Sequence, residues 1–273
     1  SALGDKRAAL RLYDRAIEIR ERLVNKEGRH ELAHDQARAY MNKANAVSEM
    51  GEAQAALTLY DTAIAIYERL IQQDERRELA NELALAYMNK ATAVSALGDN
   101  HAAVDVYENA ILIYEHLVRQ EGRRELANNL AASYMSKAAA VLKLGDKQAA
   151  VGLYDRAIEI RERLVLQEGR RELAKDLAMA YTGKAYAHCA LDEMKPATEL
   201  YGRAVETYER LVEQEGRREL AEDLARTCMN QAALVAASGD NGRAMKLNDR
   251  AIEIRERLVE HGGQGGVAND LAL

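Results

Sequence analysis

A glycine returns every 47 residues along this chain, at Gly4, Gly51, Gly98, Gly145 and, two periods later, Gly239, with Asp192 standing in the one missing place. Self-similarity at a fixed period of this length marks a repeat architecture, in which each unit packs on its neighbours instead of around one central core. A chain of 273 residues therefore need not divide into separate globular domains. Repeat starts near 4, 51, 98, 145, 192 and 239 predict about six units in a single domain over 1–273, with 262–273 as a degenerate terminal segment. Two copies are nearly the same: residues 4–24 and 145–165 differ only as Arg7/Gln148, Leu10/Val151 and Arg11/Gly152.

Each repeat holds two amphipathic phrases. In the first, Ala9, Leu12, Tyr13, Ala16, Ile17, Ile19 and Leu23 fall at intervals of three and four, the spacing of one helical face. Asp14, Arg15, Glu18, Glu21 and Arg22 occupy the other side. In the second phrase Leu79, Leu83, Tyr87, Ala91, Val94 and Leu97 repeat the pattern. Asp5, Asp99, Asp146 and Asp240 follow the repeat glycine where an N-cap belongs, and Gly28, Gly122, Gly169 and Gly216 mark the second turn. The lone proline, Pro196, falls in a first helical turn, where a missing N–H costs little. Helices of about 20–22 residues, roughly 30 Å long, are expected throughout. The glycines of 262–266 read as a helix end.

The residues at helix crossings resemble those of the tetratricopeptide repeat family. Gly51-Ala56-Tyr60-Ala63, Gly98-Ala103-Tyr107-Ala110, Gly145-Ala150-Tyr154-Ala157 and Gly4-Ala9-Tyr13-Ala16 share one spacing, and the preceding helix supplies Tyr40/Ala44, Tyr87/Ala91, Tyr134/Ala138 and Tyr181/Ala185. The period exceeds the family's usual one, and Glu68 stands where a proline commonly closes the repeat, so the chain looks like the long-repeat branch exemplified by kinesin light chains. HEAT and armadillo repeats share the period but lack the Gly-Ala-Tyr-Ala spacing. The resemblance implies an all-α, right-handed superhelical solenoid of antiparallel helix pairs. Asp192 for glycine and Asn248 for tyrosine predict less regular packing in the last two repeats.

Composition narrows the function. The net charge of −6 opposes the counterion release that drives nucleic-acid binding, and no apolar run is long enough to span a membrane. Cys189 and Cys228 have no partner pattern, which fits a reducing compartment, and the expected location is cytoplasmic. The chain opens on Ser1 inside a repeat, as expected of a segment cut from a longer protein. Catalytic groups do not converge: His188 and Cys189 are adjacent, so on a helix they point apart, and His188 takes a place filled elsewhere by Val47, Val94 and Val141. It reads as a tolerated core histidine, and both cysteines read as packing residues. No His/Cys/Asp cluster has metal-ligand spacing, so neither metal nor cofactor is expected. The arginine pairs Arg76/Arg77, Arg123/Arg124, Arg170/Arg171 and Arg217/Arg218 read as satisfied by neighbouring glutamates such as Glu75, Glu78, Glu121 and Glu125. Lys43, Lys90, Lys137 and Lys184 read as snorkelling from the core.

The contrast between fixed and changing positions points to binding. Ala44, Ala91, Ala138, Ala185 and Ala232 do not vary, because a larger side chain would push helices apart. On the same helices Asn45, Thr92, Ala139, Tyr186 and Ala233 change freely. The resemblance places these on the concave side of the solenoid. Beside them run Met41, Met88, Met135, Thr182 and Met229, a stripe that suits an adaptable apolar contact or, equally, inter-repeat core. Asn42, Asn89, Ser136 and Asn230 add polar groups, the amides among them suited to an extended peptide backbone. The family's two-carboxylate clamp is absent, because Asn45 and Asn89 match it but its cationic positions fall on Met41, Ala132 and Ser136. The expected function is a protein-interaction scaffold, not an enzyme, accepting a peptide, helix or partner domain. The alternative is a structural module whose copies join head to tail through uncapped ends, using Leu10 and Ile17 at one end and Val267, Leu271 and Leu273 at the other.

Overall fold

In a computed structural model the backbone of residues 2–270 and the side chains of residues 8–260 are described. The alternation read from the sequence becomes eleven α-helices and, among the described residues, no strand. The odd-numbered helices are α1 (Ala2–Glu21), α3 (Ala53–Gln73), α5 (Asn100–Glu115), α7 (Lys147–Glu162), α9 (Met194–Glu209) and α11 (Asn241–Asp270). The even-numbered ones are α2 (Ala33–Glu49), α4 (Ala80–Ala96), α6 (Ala127–Lys143), α8 (Ala174–Ala190) and α10 (Ala221–Ala237). Each even-numbered helix follows a single turn of 3-10 helix, and its leucine is buried in four of the five copies, as Leu79, Leu126, Leu173 and Leu220. A first unit ends at Gly145 and a second begins at Asp146. Within each, helices pack on their neighbours in sequence, and α4 also touches α2 and α6.

Small residues set the spacing. Ala44, Ala91, Ala138 and Ala185 are wholly buried, as are Ala56, Ala103, Ala150 and Ala197 on the helices that follow. Dense packing at such points leaves no room for a longer side chain without strain. Polar groups flank the crossings in register. Lys43 pairs with Asp14 at 2.5 Å, Lys90 with Asp61 at 2.6 Å and Lys184 with Asp155 at 2.5 Å, and Lys137 pairs with Glu108. Each lysine runs its stem along the core and ends on an acid of the helix before. Tyr40, Tyr87, Tyr134 and Tyr181 donate to Glu21, Glu68, Glu115 and Glu162 in the same way.

Turn chemistry follows the expected punctuation with two exceptions. Asp99, Asp146 and Asp240 accept a backbone N–H three residues on, each at 3.0 Å. Asp5, expected as a cap, instead lies inside α1, which already begins at Ala2. At the other turn the N–H of Arg29, Arg123, Arg170 and Arg217 closes on the carbonyl six residues back, with Gly28, Gly122, Gly169 and Gly216 at φ 71–72° between them. Glu75 fills that glycine's place at φ 54°, and Asp192 fills the repeat glycine's place at φ 61°. α11 runs unbroken through 262–266, where the glycines predict a helix end. The Arg-Glu-Leu phrase that turns four repeats, His30-Glu31-Leu32 in the first, has become Gly265-Gly266-Val267, so the leucine that seats the next helix is missing.

Candidate functional site

The changing positions of the even-numbered helices gather on one helical face. On α2 this face carries His34, Arg38, Met41, Asn42 and Asn45, spaced by four, three, one and three residues. Equivalent places on α4 hold Leu85, Asn89 and Thr92, and on α8 they hold Met179, Thr182 and Tyr186. Leu85, Met179, Tyr186 and Met229 rank among the exposed large apolar side chains, Tyr186 at 62%. In the first unit this face of α2 is polar; in the second unit the equivalent face of α8 is apolar and aromatic.

Several polar residues expected to be available for a partner are already engaged. Asn45 Oδ1 accepts from the Tyr60 hydroxyl at 2.8 Å and from Asn89 Nδ2 at 3.0 Å. One repeat on, the Tyr107 hydroxyl lies 3.1 Å from Thr92 Oγ1 and also bonds Ser136. Asn230 bonds Tyr201 likewise. These groups satisfy buried tyrosine hydroxyls, and only what the hydroxyl leaves unused remains for a ligand. Asn42 stays exposed. The methionine stripe divides: Met41 is largely buried, at 7% exposure, so packing takes most of its side chain. Met88 and Met135 are half-buried, Met229 is exposed, and Thr182 returns its hydroxyl to the Ala178 carbonyl at 3.0 Å.

A pocket of about 350 Å³ opens between α2 and α4, lined by His34, Arg38, Met41, Asn42, Asn45, Tyr67, Glu82 and Leu85. Three of these residues were expected from the sequence; His34, Arg38, Tyr67, Glu82 and Leu85 were not. The missed signal is the same variability: Arg38, Leu85, Ala132, Met179 and Arg226 occupy one repeat position. Tyr67 forms the floor, and burial pushes its hydroxyl up to about 12, with Glu82 adding to the shift. The buried atoms His34 Nε2 and Glu82 Oε2 have no hydrogen-bond partner among the described residues.

The ends differ from expectation. Ile17 is buried and Leu10 packs on the first unit's core, so neither forms an uncovered patch. Among the described residues of α1 the exposed large apolar side chains are Leu12 at 70% and Ile19 at 43%. On α11, Leu258 is 36% exposed, although Leu117, Leu164 and Leu211 at the same repeat position are wholly buried. Leu271 and Leu273 lie outside the described residues, as does the side chain of Val267.

Among the described residues the candidate reactive side chains do not come together. Burial pushes the Cys228 thiol up to about 11, with Glu209 contributing, and burial also raises Cys189, so neither is a thiolate near neutral pH. His188 is not a bare core residue, since its Nδ1 lies 2.6 Å from Glu193 Oε2. Arg76, Arg123, Arg170 and Arg217 each pair with the glutamate two residues on, Glu78, Glu125, Glu172 and Glu219. Glu121, expected to pair with arginine, meets His116 instead. Among the described residues no group of three His, Cys, Asp or Glu could hold a metal ion, and no helix is long and apolar enough to cross a membrane.

Comparison with known families identifies the architecture. Tetratricopeptide repeat profiles match residues 1–30, 36–74 and 128–168, and a second profile of the same description matches 84–116. Together they cover more than half of the chain, which belongs to the tetratricopeptide repeat family. Among solved structures it is similar to BtubC (BKLC) from P. vanneervenii, with TM-score 0.72 and 22% identity over 93% of this chain and 92% of that one. It is also similar to a Podosopora anserina kinesin light chain-like protein with nearly identical TPR-like repeats, with TM-score 0.63 and 19% identity over 82% and 97%. YrrB, described as a TPR protein with an unusual peptide-binding site, aligns with TM-score 0.51 and 18% identity over 88% and 97%. These likenesses establish an all-α helical-repeat solenoid. No curated protein gives a significant match.

Proposed function

We propose that this chain is a protein-interaction scaffold that receives a peptide or helix of its partner on the exposed face of the even-numbered helices, within either unit. The observation that carries the reading is the division of labour on those helices: fixed alanines are buried against the next helix, while at the position that changes between repeats Thr92, Ala139, Tyr186 and Ala233 are exposed. A surface that varies over a constant frame is how a repeat protein acquires specificity without altering its fold. Exposed Leu85, Met179, Tyr186 and Met229 supply apolar anchors, and Asn42 supplies an amide for a backbone. The description of YrrB as having a peptide-binding site supports the same reading by analogy of fold.

Photo-cross-linking tests it. A benzophenone amino acid placed at Asn42 or Tyr186 should capture the partner, whereas the same group at Leu112, on the exposed side of α5, should not. Capture at Leu112 alone would overturn the reading.

A second reading, head-to-tail association of copies, has one observation in its favour: Leu12 and Ile19 on α1, and Leu258 and Val259 on α11, are exposed at places that are half-buried or buried in inner repeats. Light scattering should then show size growing with concentration, and Leu258→Asp should abolish the growth. A constant monomer mass would remove this reading.

A further inference from the structure

The pocket between α2 and α4 contains a carboxylate that its equivalents in other repeats do not resemble. Position 82 of the chain corresponds to Asp35, Asn129, Asp176 and Asp223. Asp35 has Arg38 at 3.7 Å, and Asp223 has Arg226 at 2.5 Å, an arginine three residues on in both cases. Asp176 is reached by Arg161, which donates to its carbonyl at 2.8 Å and lies 4.0 Å from its carboxylate. At Glu82 the arginine three residues on is replaced by Leu85, and the place of Arg161 is taken by Tyr67. Glu82 is thus the acid at this position with no arginine partner among the described residues. Its Oε2 is buried without a hydrogen bond, on the wall of a pocket open to the same face that carries the binding reading.

A buried carboxylate oxygen with no donor is costly unless a donor arrives. Across the pocket, His34 Nε2 is equally unpartnered, and a neutral imidazole can accept there. Arg38 also lines the pocket, but its charge is directed to Asp35. With Arg38 paired to Asp35, which does not line the pocket, Glu82 is left without a counterion among the described residues.

We propose that this pocket takes the cationic side chain of one lysine or arginine from the bound peptide, with Glu82 as its counterion and His34 as a second acceptor. The inference rests on the binding reading above and specifies the chemistry of one anchor. The pocket has room for one long side chain, whose ammonium or guanidinium replaces the arginine that the repeats of Asp35, Asp176 and Asp223 supply from within.

The test is selection of a random-peptide display library on the intact chain, followed by affinity measurement on synthetic copies of the enriched peptides. Enriched sequences should share a lysine or arginine, and changing an arginine to the neutral isostere citrulline should weaken binding roughly tenfold, the order expected for loss of one charge-assisted contact. Glu82→Gln keeps the shape of the side chain and should keep the helical circular dichroism and melting temperature. It should also weaken the basic peptide and erase its advantage over the citrulline form. Binders that lack a basic residue, or an arginine-to-citrulline ratio unchanged by Glu82→Gln, would overturn this inference while leaving the scaffold function intact. Binders whose affinity responds to no substitution on α2, α4, α8 or α10 would sink the scaffold reading itself.

Discussion

Gln231 occupies the place that Lys184 holds one repeat earlier, and its amide turns to the Thr198 carbonyl at 3.3 Å because Gly202 has replaced the acid that Asp155 provides. Both partners of the ion pair have changed together. Gln231 is 3% exposed, and a Cβ built at Gly202 would approach its Nε2 to 3.0 Å. Gln231→Lys alone should destabilise by about 2–3 kcal/mol, since it buries an ammonium without its counterion. Gly202→Asp alone should also cost stability, by crowding the amide. The double variant should recover at least ~1 kcal/mol relative to the sum of the singles, as urea denaturation of all four chains would show.

Glu75 adopts φ 54° where four other repeats use glycine at 71–72°. A side chain with a Cβ is strained there by about 1–2 kcal/mol, and glycine recovers part of that after its greater chain entropy is counted. Glu75→Gly is therefore expected to stabilise by about 1 kcal/mol, raising the melting temperature by roughly 2–4 °C. Asp192→Gly should gain less, because aspartate tolerates the left-handed region better.

Gly183 lies in the middle of α8, where glycine normally weakens a helix relative to alanine by about 1 kcal/mol. A Cβ there would fall 2.6 Å from Tyr154 Cε1. Steric overlap should win: Gly183→Ala is predicted to lose about 1–3 kcal/mol despite its better propensity. A melting temperature higher than that of the parent would contradict the close approach of α8 to Tyr154.

Burial pushes the Tyr67 and Tyr208 hydroxyls up to about 12, with nearby carboxylates adding to the shift. Ionised tyrosine is the form that burial disfavours, so the folded chain holds these protons more tightly than the unfolded one. Their contribution to stability is complete below about pH 10, the unfolded value, and is lost as pH rises towards 12. Helicity followed by circular dichroism should therefore fall in that window, and tyrosinate absorbance should rise with it. Full ionisation of every tyrosine near pH 10 with helicity retained would contradict the assignment.

The period, the buried alanines and three of the aspartate caps were legible because each is fixed within a single repeat. The engagement of Asn45 was not, because its partners Tyr60 and Asn89 are 15 and 44 residues away on two other helices. Nor was the burial of Met41, whose stripe fits core and surface equally by spacing alone. Glu75 escaped notice because its left-handed backbone shows only when the second turn is aligned across repeats. The pocket at Glu82 depended on what Leu85 and Tyr67 fail to supply, a deficit visible only after the other acids are seen with their arginines.

The division between packing and binding surfaces is tested most directly by a hydrogen-exchange footprint of the chain with a selected peptide bound. Protection added by the peptide should fall on α2, α4, α8 or α10, around Asn42, Thr92, Tyr186 and Asn230, and leave α3, α5 and α9 unchanged. Protection confined to the odd-numbered helices, with the even-numbered faces exchanging as before, would contradict the account.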